Sequence, residues 1–540
     1  MDIPEASETD AIKLSPVTEA LLKALTAPTA KESIVEGDQY KVSQAVSFFG
    51  FAYEKIRNAI EFNEEHLIRR MAIARIVRRR LAINPKGDNE GENVMRELLW
   101  GRYVPENGVS VHDVKNIQHI INQYQAFFSY VKSTHNVKNV DNLGDIVMNL
   151  MSCEIEESVS KDQAAKQSAL VYYFFQVLKN KVSIEHTDDT KKDMYFYAAV
   201  EKGFAKNDKP FIIYHFFTLK YGPLAGKSHD DIKKIASEFS VFMGDVYEVL
   251  RNKHSETLVK FVKKQVPPFK ILYGIIKKHQ SHALKILSNK DSLKQEVDAL
   301  CKEKYLQTGV KLRNAAVRSI TYIFLTKMVF VLLIEIPLSK LLYDDVELSA
   351  VFVNTLLPPI MMGLIVSIIT PPSAKNTERI FDRVMNIIDF DPSFEDQKSL
   401  ITTNTPQKRP GLIFIFTILY LTSFSIILGG VYYFLEILGF NLVSKSIFIF
   451  FVSVVTFFAY RIRQTAKEYV LESTNNVVIS FLTFLFLPIL YLGKMFSEQV
   501  SKINLFIVFF DYLIEAPFKF IIDIVEEWTK FLRDRKDELA

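Results

Sequence analysis

The sequence predicts an all-α protein in which a large water-soluble helical domain precedes a polytopic transmembrane helix bundle of about six spans. Three observations carry that expectation. Residues 1–310 repeat apolar side chains at intervals of three and four, which is helical spacing. Residues 311–540 contain several long apolar runs, each near the roughly 20 residues that cross hydrocarbon. The charge divides at the same place, because residues 311–540 carry 22 Lys+Arg and 22 Asp+Glu, leaving the whole net charge of +4 in residues 1–310.

The soluble part shows its joints in Gly and Pro. Pro85-Lys86-Gly87, Pro105 to Gly108, Tyr221-Gly222-Pro223 and Pro267-Pro268 separate helical stretches such as Val114 to Val131. Asn207-Asp208-Lys209-Pro210 reads as a helix start. So does Ser228 with Asp231 in the first turn. Phe211 to Phe217 is the best strand-like run, and it equally suits a buried helix. A division into two subdomains near residues 180–192 is expected.

Six spans are expected over 319–338, 348–369, 411–435, 446–460, 477–493 and 503–524. The second contains Pro358-Pro359, the third Gly429-Gly430 and the fifth Pro488. The sixth carries Asp511, Glu515, Lys519 and Asp523 at four-residue spacing, so an interfacial helix is its alternative. A charged amphipathic tail containing Trp528 follows. Lys and Arg concentrate in the second-to-third connection (Lys375, Arg379, Arg383, Lys398, Lys408, Arg409), the fourth-to-fifth connection (Arg461, Arg463, Lys467) and the tail. By the positive-inside bias, that places both termini in the cytoplasm. The first residues are acidic and lack an apolar signal core.

The charges inside apolar runs are the first functional hint, since a charge in hydrocarbon costs about 2.5–3.5 kcal/mol even on the lenient scale. Lys327, Glu335, Asp511 and Glu515 form the expected intramembrane polar site. Eight residues separate Lys327 from Glu335, an offset of about 80° on a regular helix. A structural ion pair is the bland alternative, set beside a path for an ion or solute.

Gly222, Gly226, Lys227 and Ser228 imitate a phosphate loop. Only three residues separate the glycines, and Asp230 and Asp231 stand where phosphate would sit. An ordinary helical joint is therefore expected. Six arginines between Arg69 and Arg80 spread around one helix. They read as partners for acids on neighbouring helices, with anionic lipid as the lesser alternative. His279 and His282 lack a third ligand nearby, and two cysteines, Cys153 and Cys301, exclude a disulfide scaffold. No metal or cofactor is expected. The expected partners are the lipid bilayer and proteins engaging residues 1–310, with no nucleic acid. Function divides between a membrane-anchored scaffold or assembly factor, a transporter or channel, and a membrane-bound nucleotide-dependent enzyme.

Overall fold

A computed structural model describes residues 11–27, 64–105, 109–134, 140–184, 186–343, 348–367, 374–389, 401–403, 410–466, 468–471 and 489–495, with a few isolated positions between them. The described chain is nearly all helical. It divides into two compact units, one built mainly from residues 14–263 and the other from 264–389 and 404–507.

The first unit contains α1 (Pro16–Thr26), α2 (Glu65–Ile83), α3 (Glu90–Trp100), α4 (Val111–Thr134), α5 (Val140–Val159), α6 (Lys161–Leu178), α7 (Asp189–Gly203), α8 (Lys209–Tyr221) and α9 (His229–Leu250). A three-residue strand, β1 (Val182–Ile184), pairs in parallel with β2 (Ile401–Thr403). Helix α5 packs against α2, α4 and α8. The core is rich in aromatic rings. Phe127 meets Phe217 and Phe239 edge-on at 6.0 and 5.1 Å, the geometry favoured by the ring quadrupole. The run Phe211 to Phe217 is helical, because Asp208 accepts a hydrogen bond from the Phe211 N–H and Pro210 opens the first turn.

The arginines of α2 pair with acids on other elements. Arg69 meets Glu156 at 2.9 Å, Arg70 meets Asp208 at 2.6 Å and Arg75 meets Glu54 at 2.9 Å. Arg78 meets Asp145 at 2.8 Å, and Arg79 and Arg80 share Glu97. Arg69, Arg70, Glu97 and Glu156 are buried. A buried charge is tolerated only when paired and hydrogen-bonded, so this helix is an internal strut.

The second unit contains α11 (Ala283–Leu287), α12 (Lys290–Phe330), a π-helical turn (Val331–Glu335), α13 (Ile336–Tyr343), α14 (Leu348–Ser367), α15 (Ala374–Asp389), α16 (Pro410–Ile437) and α17 (Leu442–Ala466). Helix α10 (Ser255–His279) contains the division between the units. From Lys290 to Tyr343 the helix is continuous over 54 residues, about 81 Å at 1.5 Å per residue. Three helical segments are long and apolar enough to cross a membrane: Lys290–Tyr343, Pro410–Ile437 and Leu442–Ala459. That is three among the described residues, where the sequence predicts about six. Helix α14 carries a shorter apolar stretch, Val351–Leu364. It continues through Pro358 and Pro359 without a break. Of the expected spans 477–493 and 503–524, only 487, 489–493 and 524 are among the described residues.

Helices α12, α14 and α17 pack on one another. Leu312, Ile323, Met362, Phe451, Val455 and Ala459 form one cluster between them. Their outward positions are apolar too, including Leu325, Val329, Leu332, Leu333, Phe352 and Ile360. Helix α15, in what the sequence shows only as a basic connection, is strongly amphipathic. It buries Ile380, Phe381, Val384 and Ile388. Its Asn376 Nδ2 donates to the Tyr305 hydroxyl and to the Tyr469 carbonyl, both at 2.8 Å, and Oδ1 accepts from the Leu471 N–H at 3.0 Å.

Gly493 marks a close approach within this unit. A Cβ placed there would overlap the Ser453 carbonyl oxygen. Small residues permit such helix contacts in bundles. Gly493→Leu is expected to force the segment 489–495 away from α17 and to destabilise the protein by about 1–3 kcal/mol. A lowered melting temperature of the detergent-purified chain is the readout. An unchanged one would show that the contact yields freely.

Candidate functional site: a buried polar chain within the bundle

The helices α12, α14 and α17 enclose a set of polar side chains in an otherwise apolar interior. Lys327 and Glu335 have no solvent exposure. Lys327 Nζ lies 3.6 Å from Glu335 Oε2 and 4.6 Å from the centre of the Phe451 ring, within range of a cation–π interaction. Glu335 Oε1 accepts a 2.6 Å hydrogen bond from Asn354 Nδ2, which also donates to the Ser444 carbonyl at 3.3 Å. Asn441 caps α17 by accepting from the Ser444 N–H at 2.8 Å, and it donates to Ser339 Oγ at 3.1 Å. One polar chain therefore ties the π turn, α13, α14 and α17 together.

The π turn brings the charges together. Pro337 has no N–H to return to Leu333, and its ring crowds that carbonyl, so the helix widens just before it. A π turn holds one extra residue. Eight residues then act as seven, which falls within about 20° of two full turns. The 80° offset of a regular helix is thereby closed.

Four buried polar atoms here have no hydrogen-bond partner among the described residues: Lys327 Nζ, Glu335 Oε2, Asn354 Oδ1 and Ser453 Oγ. Asp511 and Glu515, the other two expected members, lie outside the described residues. Asn354 is the member that the sequence reading missed. Its signal is a lone amide in an apolar run, a residue type that crosslinks helices by hydrogen bonding.

The loop from Gly222 to Ser228 is a joint between α8 and α9. Gly222 ends α8 with φ of +80°, a conformation that favours glycine. Gly226 closes a single 3-10 turn, and Ser228 starts α9 with a capping box closed by Asp231. The Leu224 and Ala225 N–H groups donate to the two carboxylate oxygens of Glu154 at 3.0 and 2.8 Å. The chain's own carboxylate thus occupies amides that a phosphate would need. Burial raises the Glu154 pKa, opposed by those amides and by the Tyr124 hydroxyl. Lys227 Nζ lies near Gly222.

A second buried network sits in the first unit, around His215. Its Nδ1 meets Glu201 at 2.9 Å and its Nε2 meets Glu157 at 3.0 Å. Asn207 Nδ2 donates to Glu201, and its Oδ1 accepts from His66 Nε2 at 2.7 Å. Burial depresses the His215 pKa, but the two carboxylates outweigh it and raise the value to about 10. Burial pushes Glu201 up, and His215 with Asn207 brings it below its ordinary value. Both ring nitrogens of His215 are engaged by carboxylates, which suits a structural imidazolium. His279 pairs with Glu296 at 3.0 Å, and no cluster fit for a metal ion occurs among the described residues. Cys153 is buried in the same core, where burial raises its thiol pKa.

No protein family, curated protein or solved structure matches this chain.

Proposed function

We propose that this chain is a multi-pass integral membrane protein with cytoplasmic termini, acting as a membrane-anchored scaffold or assembly factor through its helical residues 1–310. The exposed apolar positions on helices of spanning length support insertion, since such faces suit lipid. The observation that favours a scaffold is the Lys327–Glu335 contact. The two charges form an ion pair at 3.6 Å along a single helix, and Glu335 accepts a hydrogen bond from Asn354 of a second. That arrangement holds helices in register and leaves less charge for a passing solute. The lipid bilayer is one partner, and proteins bound by residues 1–310 are the others.

Stable partners are expected to co-purify from native detergent extracts and to be lost when residues 1–310 are deleted. A clean monomer in such extracts would end the scaffold reading.

A transporter or channel is the second reading, favoured by the unpartnered Lys327, Glu335, Asn354 and Ser453 atoms inside the bundle. It predicts solute or ion flux in proteoliposomes that changes in Lys327→Ala. The nucleotide-dependent enzyme reading is the weakest, because Glu154 holds the loop amides.

A further inference from the structure

One face of α12 changes character along its length. Lys311, Asn314, Arg318, Tyr322, Leu325 and Val329 follow one another at steps of three and four residues, which keeps them within a sector of about 80° on the helix. All are exposed, Tyr322, Leu325 and Val329 by 63%, 56% and 52%. The face opens on two cations and an amide, passes a tyrosine and ends in aliphatic side chains. That is the order met on passing from headgroups into hydrocarbon, with tyrosine at the boundary. Arg318 stands about 6 Å along the axis from Tyr322, and Lys311 about 10 Å further out.

The two cations lack a counter-charge. No Asp or Glu occurs between Glu303 and Glu335. The side chains of Lys311 and Arg318 have no ion pair or hydrogen bond among the described residues. Other lysines of the same unit do find acids, Lys270 with Glu468 and Lys278 with Glu296.

We propose that this face binds a phospholipid whose headgroup carries a second phosphate on a ring, with the diester phosphate on Arg318, the outer phosphate on Lys311 and an acyl chain along Leu325 and Val329. The guanidinium fork matches two oxygens of one phosphate, and the ammonium meets the other as a point charge. Asn314 stands between them with an amide for the ring hydroxyls. Basic side chains beside a spanning helix are how anionic headgroups are held. The site rests on the reading of α12 as a membrane span.

The test places the full-length chain in phosphatidylcholine nanodiscs doped with equal shares of phosphatidylserine, phosphatidylinositol and phosphatidylinositol 4-phosphate. Native mass spectrometry then counts the lipids that stay on the protein. Each cation near the surface contributes roughly fivefold, so the 4-phosphate lipid is expected to be retained about five times more than phosphatidylinositol. Lys311→Gln is expected to erase that preference. Arg318→Gln is expected to lower retention of both inositol lipids about fivefold. Arg313→Gln, about 160° around the helix from Lys311, is expected to change neither. Melting temperatures taken beside each variant separate lost binding from lost folding. Equal retention of phosphatidylserine and the 4-phosphate lipid, a preference that survives Lys311→Gln, or one that Arg313→Gln also erases overturns the site and leaves the membrane reading standing. A chain that enters no nanodisc of any composition ends the membrane reading itself, and the site with it.

Discussion

Glu335→Ala is expected to destabilise the second unit by about 3–5 kcal/mol, the cost of leaving one member of a buried ion pair alone. Lys327 would lose the carboxylate that stands 3.6 Å away. Asn354 would lose its 2.6 Å acceptor and keep only the longer bond to the Ser444 carbonyl. Both defects lie where water does not reach, as the zero exposure of Lys327, Glu335 and Asn354 attests. The damage comes from the orphaned partner more than from the lost attraction. Replacing both charges with residues of similar volume, Lys327→Met with Glu335→Leu, should therefore recover much of the loss. Thermal unfolding of the purified chain in detergent gives both measurements. Should the double variant prove as unstable as Glu335→Ala, packing or the Asn354 bond would account for the effect, and the ion pair would not.

The second large effect concerns pH and the first unit. His215 has a folded pKa of about 10 against an ordinary 6.5, so the folded state holds its proton more tightly than the unfolded chain. The resulting stabilisation is complete below about pH 6.5, shrinks as the pH rises, and is lost on passing about pH 10. Glu201 has a lowered pKa and acts in the opposite sense, its contribution falling away in acid. At pH 7 His215→Gln is expected to cost roughly 2–4 kcal/mol, and the gap from the native chain should close steadily towards pH 10. Trp100 is buried in the first unit, and the sequence contains two tryptophans. In a Trp528→Phe background its fluorescence during urea unfolding reports that unit. A gap that stays constant from pH 7 to pH 10 would show that the imidazole is neutral in the fold.

Local chemistry made much of the fold legible. The capping box at Ser228 and the Asp208-Lys209-Pro210 start are both short-range signals, and both mark helix starts in the structure. The apolar runs near Lys327 and beyond Pro410 lie on helices of spanning length for the same reason. Helix α15 is hidden in the sequence because its apolar positions are interspersed with charges in a connection rich in Lys and Arg. The arginine partners could not be assigned residue by residue, since Glu156 lies 87 positions from Arg69 and Asp208 lies 138 from Arg70. Only tertiary packing brings them together. Glu154, Glu156 and Glu157 are near neighbours in sequence, yet each binds a different distant partner: the Ala225 N–H, Arg69 and His215. At the candidate site, Lys327 and Glu335 were visible as charges in apolar surroundings. Their meeting was not, because a uniform 3.6-residue period sets them on different faces.

Rewinding the widened turn before Pro337 into an ordinary helix would swing every later residue of that rod by about 100°. Glu335 would swing away from Lys327, and Ser339 away from Asn441. A single proline therefore sets the rotational phase of the whole segment beyond it.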